Sequence, residues 1–455
     1  MRLSSATLGS LAPGVARPGY DRDAQAVGIL HFGLGAFHRA HQAVYTDAAM
    51  AAGDCDWAIA GLSLRSAAVR DRLAPQDGLY TVTARSRDGE EVRLIGSVRQ
   101  ALVASGTSDK IAALLAAPAT RIVSFTVTEK GYCRSPDGSL DLAGATPESI
   151  YGWLHRGLAL RRDAGLPGLT LLSCDNLPDN GRVLERLMAE YLDRADPALA
   201  RWVAAECAFP STMVDRIVPA ITLADLDQVE QRIALRDEGA VITEPFSQWA
   251  IEDRFAGARP RWDEGGAEFV ADVRLYEIAK LRMLNGAHSA LAYLGPRCGH
   301  RFVHEAIADP AIRATIERLM RDEAAPTLDP AFDAQAYADA LLARFANSAL
   351  PHRLQQIAMD GSQKIPQRWL AVLAWHQRHG RRCPAILEAL AAWIDHIRGD
   401  TAPVDDPLAD RLAVLWREVG EGGIVAALFG SDGLFAGDWQ ASDADRRVIE
   451  AHLTP

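Results

Sequence analysis

The stretch "GILHFGLGAFHRAHQ" (residues 28–42) runs from a short apolar strand through a glycine turn into a helix. Gly33 and Gly35 form a G-x-G pair, and His38 stands where the third glycine of a dinucleotide-binding fingerprint would fall. Its place directly after the first buried strand is what gives the pair weight. Gly33 suits a tight turn, and Gly35 lets the backbone N–H groups of Ala36 and Phe37 approach a pyrophosphate at a helix start. An ordinary strand-to-helix turn is the competing reading. The second strand of such a domain usually ends near an acid that binds the adenosine ribose. Here the segment reads "GLSLRSAAVRD", with Ser63, Arg65 and Ser66 in that region. Arg65 would suit a 2′-phosphate, which keeps NADP open beside NAD; an exposed surface arginine is the alternative.

Outward from this turn, strand-like and helix-like segments alternate. "VGILHF" (27–32), "WAIAGL" (57–62), "RIVSFTV" (121–127) and "LTLLSC" (169–174) are short apolar strands. "LYTVTARSRDGEEVRLIGSV" (79–98) alternates like a hairpin turning at Asp88-Gly89. "TPESIYGWLHRGLALRRDAG" reads as a helix with Thr146 as N-cap, Pro147 in its first turn and Gly165 closing it. Interleaved strands and helices predict an α/β fold with a mostly parallel sheet. Beyond about residue 270 helical periodicity takes over, at 274–294, 300–324, 334–346, 366–379, 384–398 and 407–418. Loops such as "PTLDPAFD" and "GDTAPVDDP" (399–407) separate these segments. The expected organisation is a dinucleotide-binding Rossmann-type domain over 1–268 and a mostly α-helical substrate-binding domain over 269–455.

Bulk properties narrow the class. A chain of 455 residues, 49% hydrophobic and 24% charged, is expected to form two or three ordinary globular cores. The net charge of −11 gives no footprint for nucleic acid or for an anionic membrane. Cys55, Cys133, Cys174, Cys207, Cys298 and Cys383 stand singly, without zinc spacing, as expected of reduced thiols in the cytoplasm. The first residues carry no long apolar run and no stretch reaches about 20 apolar residues, so neither a secretory signal nor a membrane span is expected.

The stretch "YEIAKLRMLNGAHSALAYLG" (residues 276–295) poses the chemical question. With Lys280 at zero and about 100° per residue, Glu277, His288 and Asn285 fall within roughly 140° of it, on the side of Leu281, Leu284 and Leu291. Burying an amine, a carboxylate, an imidazole and an amide costs a few kcal/mol each unless they are paired. A satisfied internal polar network is one explanation. Four such groups on one arc favour a site.

Several segments taken together resemble the mannitol dehydrogenase family, the polyol-specific long-chain dehydrogenases/reductases. They are, in order, "GAFHRAHQAVYTD", "TVTEKGYC", "SCDNLPDNG", "FPSTMVDRIVP", "EPFSQWAIED", "KLRMLNGAHSALAYLG" and "RLQQIAMDGSQKIPQR". The likeness spans about residues 15–450, and "STMVDRIVP" and Lys-x4-Asn-x2-His are its most specific marks. It implies hydride transfer with NAD(H) and no metal. It implies that Lys280 is the general acid/base and that Asn285 and Asn176 hold the reacting oxygen. It further implies that His288 binds substrate hydroxyls, that Glu277 passes a proton toward solvent, that Glu129 lies near the nicotinamide and that Asp215 lies close to the site. Elementary chemistry agrees, because a partly buried lysine has a tunable pKa and two amide donors can stabilise an alkoxide without a metal.

Within that family the segments around Lys130 and Lys364 look closer to the fructuronate (mannonate) reductases than to the mannitol enzymes. The mannitol enzymes tend to have glycine at the position of Lys130 and arginine at the position of Gln356. A uronate substrate needs a cation for its carboxylate, and Lys130, Arg353 and Lys364 are the candidates. The alternatives are a mannitol 2-dehydrogenase or related polyol dehydrogenase and, from another class, a nucleotide-binding sensor of a sugar acid.

Overall fold

The computed structural model describes residues 1–400 and 403–453; residues 401–402 of the expected 399–407 loop and 454–455 of the second expected domain lie outside these. The chain forms two compact units, Met1–Val273 and Arg274–Pro455.

In the first unit the apolar runs become strands β1 (Val27–Phe32), β2 (Ala58–Ser63), β3 (Tyr80–Ser86), β4 (Gly89–Ile95), β5 (Val98–Val103), β6 (Ile122–Phe125) and β7 (Thr170–Ser173). Strands β8 (Thr212–Asp215), β9 (Val241–Thr243), β10 (Gln248–Glu252) and β11 (Glu268–Val270) follow. The central sheet has the order β5-β2-β1-β6-β7, and its neighbours all pair in parallel. Both faces are covered, as a parallel sheet requires. Leu30, Phe32, Val123, Phe125 and Leu171 pack with Leu154, Leu158, Leu184 and Leu187 on one side. Ile29, Ile59, Ile122 and Leu172 pack with Ala43, Tyr45, Met50, Trp249 and Trp262 on the other. The alternation within "VGILHF" thus divides one short strand between two cores.

Two small sheets complete this unit, β4-β3-β9 and β11-β10-β8. The hairpin forms one residue earlier than expected. Ser86 pairs with Gly89, so Arg87 and Asp88 make the turn, and the Ser86 hydroxyl accepts from the Asp88 N–H. The helix expected from Thr146 begins later, at Ile150–Asp163 with Ser149 as its cap. Residues 146–149 form a separate turn in which the Ser149 hydroxyl donates to the Thr146 carbonyl while accepting from the Gly152 N–H.

The second unit is helical. The expected 276–295 helix is interrupted: α-helix over Arg274–Ala279, a π-helical turn over Lys280–Asn285, then α-helix over Gly286–Arg297. The expected 300–324 helix is divided into Val303–Ala308, Pro310–Arg318 and a π turn over Leu319–Ala324, with Pro310 opening the second piece. The last expected helix runs further, Ala409–Phe429, with a break at Gly420 (φ 61°). A helix at Asp443–Ala451 was not expected; the Ser442 hydroxyl and the Asp445 carboxylate form its capping box.

Glu323 shows how the π turn over Leu319–Ala324 serves packing. Its buried carboxylate accepts from the Ala385 and Ile386 N–H groups, 2.7 and 2.8 Å away, at the open start of the Pro384–Arg398 helix. Burial outweighs these bonds and pushes the carboxyl up to about 7, from an ordinary 4.5. The folded chain therefore holds this proton more tightly than the unfolded chain. The associated stability is complete below pH 4.5 and is lost as the pH rises through 7. The gap corresponds to up to about 3 kcal/mol. Urea unfolding of Glu323→Gln should depend less on pH between 5 and 8 than that of the wild type; parallel curves would assign the dependence to other groups.

Candidate functional site

The glycine turn is built from beneath. Gly33 has φ 105°, and a Cβ there would lie 2.0 Å from the Thr126 carbonyl oxygen, so the fold itself demands glycine. Gly35 is different, because a Cβ on it would meet nothing of the chain nearer than 3.7 Å. Its bareness answers no internal need and leaves room for close backbone approach by a dinucleotide pyrophosphate. Ala36 and Phe37 open the short helix Ala36–Ala40, half-buried, with Gly35 as N-cap.

His38, the residue in place of the third glycine, is fully buried and stacks on His31 with ring centroids 3.4 Å apart. The His31 Nε2 lies 2.9 Å from the Thr126 hydroxyl and 3.2 Å from the Gly33 carbonyl, and Nδ1 lies 2.8 Å from the Ser124 hydroxyl. Thr126 donates to the Gly33 carbonyl as well. Burial drives the His31 imidazole down to about 3, so it acts as a neutral strut. Burial first, then the neighbouring His31, Arg39 and His41, holds His38 well below the ordinary histidine range. Arg39 completes the support by donating to the Gly35 carbonyl at 3.3 Å.

The other first-unit candidates cluster where the central strands end. Arg65 is exposed two residues beyond β2. Glu129 and Lys130 stand exposed in a 3₁₀ turn, Glu129–Tyr132, shortly after β6. Asn176 is exposed three residues beyond β7, and its loop is pinned by the Asn180 amide, which donates to the Asp175 and Thr212 carbonyls at 2.9 and 2.8 Å. These segments follow strands adjacent in the order β2-β1-β6-β7, at the carboxyl edge where open parallel sheets bind ligands. Asp215 is the buried last residue of β8, a strand of a different sheet.

In the second unit, the π turn changes the reading of Lys-x4-Asn-x2-His. Glu277, Lys280, Asn285 and His288 are half-buried rather than buried. A uniform 100° wheel puts Asn285 at the far edge of the arc. An i→i+5 turn instead stacks a residue over the one five later, which brings Lys280 and Asn285 to the same side. Arg368 was not among the expected residues. Its Nη1 donates to the Asn285 carbonyl at 3.1 Å and to the Ser289 hydroxyl at 2.7 Å, fixing the start of the Gly286–Arg297 helix. Burial lowers its guanidinium to about 10. The His288 ring packs on Phe345, centroids 4.8 Å apart, and edge-on to His352 at 5.6 Å. Burial, followed by the charges of Arg344, His352 and Arg368, holds its imidazole well below the ordinary range.

The expected carboxylate-binding cations separate. Lys364 is half-buried, donates to the Ile357 and Met359 carbonyls, and lies 3.9 Å from the Asp360 carboxylate; burial and then Arg368 lower its pKa. Arg353 is exposed, with its guanidinium 5.6 Å from the Phe302 ring, and Gln356 is exposed on the helix Leu354–Ala358. Among the described residues no group of three or more His, Cys, Asp or Glu side chains could hold a metal, and no helix is long and apolar enough to cross a membrane.

Known proteins resemble the chain over nearly its whole length. An uncharacterised oxidoreductase of Escherichia coli K12, YeiQ, is 43% identical, covering 88% of this chain and 86% of its own. The D-mannonate oxidoreductase of the same organism is 40% identical, covering 93% and 92%. Among solved structures, the Pseudomonas fluorescens mannitol 2-dehydrogenase, in ternary complex with NAD and D-mannitol, superposes with a TM-score of 0.78 at 35% identity, covering 99% and 96%. The Rossmann-domain model of mannitol dehydrogenases matches residues 27–264 and their C-terminal-domain model residues 272–452, and with this agreement the chain belongs to the mannitol dehydrogenase family.

Proposed function

We propose that this oxidoreductase interconverts a keto sugar acid and its hydroxy acid, fructuronate and mannonate, using NAD(H). The D-mannonate oxidoreductase at 40% identity supports the substrate class, and the NAD in the mannitol 2-dehydrogenase complex supports the cofactor. The observation that carries the preference for an anionic substrate is the positive surrounding of His288, made by Arg344 and Arg368, with Lys364 one helical turn before Arg368. A substrate carboxylate would be drawn to these cations through charge-assisted hydrogen bonds.

In this reading Gly33, Gly35, Ala36 and Phe37 cradle the pyrophosphate, Arg65 lies at the adenosine ribose, and Glu129 lies by the nicotinamide. The nicotinamide supplies or receives the hydride. Lys280 gives a proton to the developing alkoxide during reduction and takes it back during oxidation, while Glu277 passes that proton to solvent. Asn176 and Asn285 donate N–H bonds to the same oxygen. His288, kept neutral by its surroundings, exchanges hydrogen bonds with substrate hydroxyls, and Asp215 borders the substrate. Lys130, Arg353 and Lys364 are the carboxylate candidates, with Lys364 favoured by its nearness to Arg368; Gln356 replaces a cation there by a neutral amide.

With NADH, kcat/KM for fructuronate should exceed that for fructose by roughly 10–150-fold, the worth of one charge-assisted hydrogen bond of about 1.5–3 kcal/mol realised in the transition state. Equal values would instead support the second reading, a mannitol 2-dehydrogenase. That reading draws on the structural likeness to the Pseudomonas enzyme.

A further inference from the structure

Thr128 has φ 64° and ψ 167°. Asp77, Cys133, Asp179, Ala234 and Asp360 also have positive φ, but they occupy the compact left-handed helical region. The extended region at positive φ is one that glycine alone enters without penalty, and a β-branched side chain suits it least. Something must hold Thr128 there.

The neighbouring loop supplies a hold. Asp175 is 8% exposed. Its Oδ1 accepts from the Thr128 N–H at 2.9 Å, and its Oδ2 accepts from the Val127 N–H at 3.0 Å and from the Tyr132 hydroxyl at 2.8 Å. Tyr132 is fully buried, and its hydroxyl also lies 2.6 Å from the Ser173 hydroxyl. One carboxylate therefore grips both ends of the turn that carries Glu129 and Lys130. Asp175 directly precedes Asn176, and the two loops follow β6 and β7, which pair in register at Phe125 and Ser173. Burial raises the Asp175 carboxyl, and the two N–H bonds and the Tyr132 bond pull it back.

We propose that Asp175 is a positioning residue whose carboxylate clamps Val127, Thr128 and Tyr132, holds Thr128 in its strained backbone conformation and so fixes the Glu129–Tyr132 turn relative to Asn176. The consequence for catalysis rests on the reading of Glu129 and Asn176 given above; the clamp itself does not.

A double-mutant cycle of Asp175→Asn and Thr128→Gly tests both parts. Asparagine keeps the size but offers an NH₂ to an N–H that needs an acceptor. The fall in Tm caused by Asp175→Asn should shrink by at least about half in the Thr128→Gly background, because glycine adopts the conformation unaided. Asp175→Asn should lower kcat by about 10–100-fold at temperatures where the variant remains folded, since small misplacements in an active site have this effect. Thr128→Gly should restore part of that loss, which a purely structural defect would not show. Additive Tm losses would overturn the clamp. Coupled Tm losses with unchanged kcat would overturn its role in positioning. A wild type that turns over no keto sugar would sink the functional reading, while the Tm cycle would still decide the clamp.

Discussion

Replacing Lys280 by alanine is expected to lower kcat by about 10²–10⁴-fold, the usual loss for a positioned acid/base group, with NADH affinity nearly unchanged. Reduction of a ketone creates an alkoxide that must be protonated as the hydride arrives, and Lys280 is the group proposed to do so. It opens a π-helical turn, a form that is rare and concentrates at functional sites. That turn also suits the Lys-x4-Asn spacing, because five residues separate the ends of an i→i+5 bond. NADH titration followed by fluorescence separates binding from turnover. A variant that binds NADH normally and turns over within a few-fold of wild type would remove Lys280 from the mechanism. A variant that no longer binds NADH would place the residue in the cofactor site instead.

The distinction between what the residues announce and what they conceal follows the range of the interactions. The central sheet was legible because β1, β2, β6 and β7 are continuous apolar runs buried on both faces. The glycine turn was legible because Gly33 answers a local need for positive φ. By contrast, β9 and β11 are three residues each, too short for a local pattern to mark, and β9 pairs with β3, far away in sequence, while β11 pairs with the preceding strand β10. The wheel over residues 276–295 put four polar side chains on one arc but assumed a uniform 100° step, which the π turn breaks at the motif itself. The role of His38 depends on a stack against His31 seven residues away, and that of Asp175 on Thr128, across the gap between two strands. The asparagine beside Asp175 drew attention, whereas the aspartate has no motif of its own.

Asn176 and Asn285, both proposed as donors to the reacting oxygen, are the next most informative residues. Each change to alanine should lower kcat by roughly 10²-fold or more, as removal of one oxyanion donor does elsewhere. The two residues are held by unrelated means. Asn176 sits in a loop fixed by the Asp175 carboxylate and the Asn180 amide, whereas the Asn285 backbone carbonyl is held by the Arg368 guanidinium. Those supports reach backbone atoms or other side chains, so truncating either amide should leave them in place. Asn→Asp at each position sharpens the test, because it keeps the size and replaces the N–H donor by an acceptor that repels an alkoxide; its effect should be at least as large as that of alanine. A donor to the alkoxide acts in the transition state, so kcat should fall with little change in KM. If KM alone moved at either position, that asparagine would bind the ground state, and stabilisation of the alkoxide would fall to the other asparagine and Lys280.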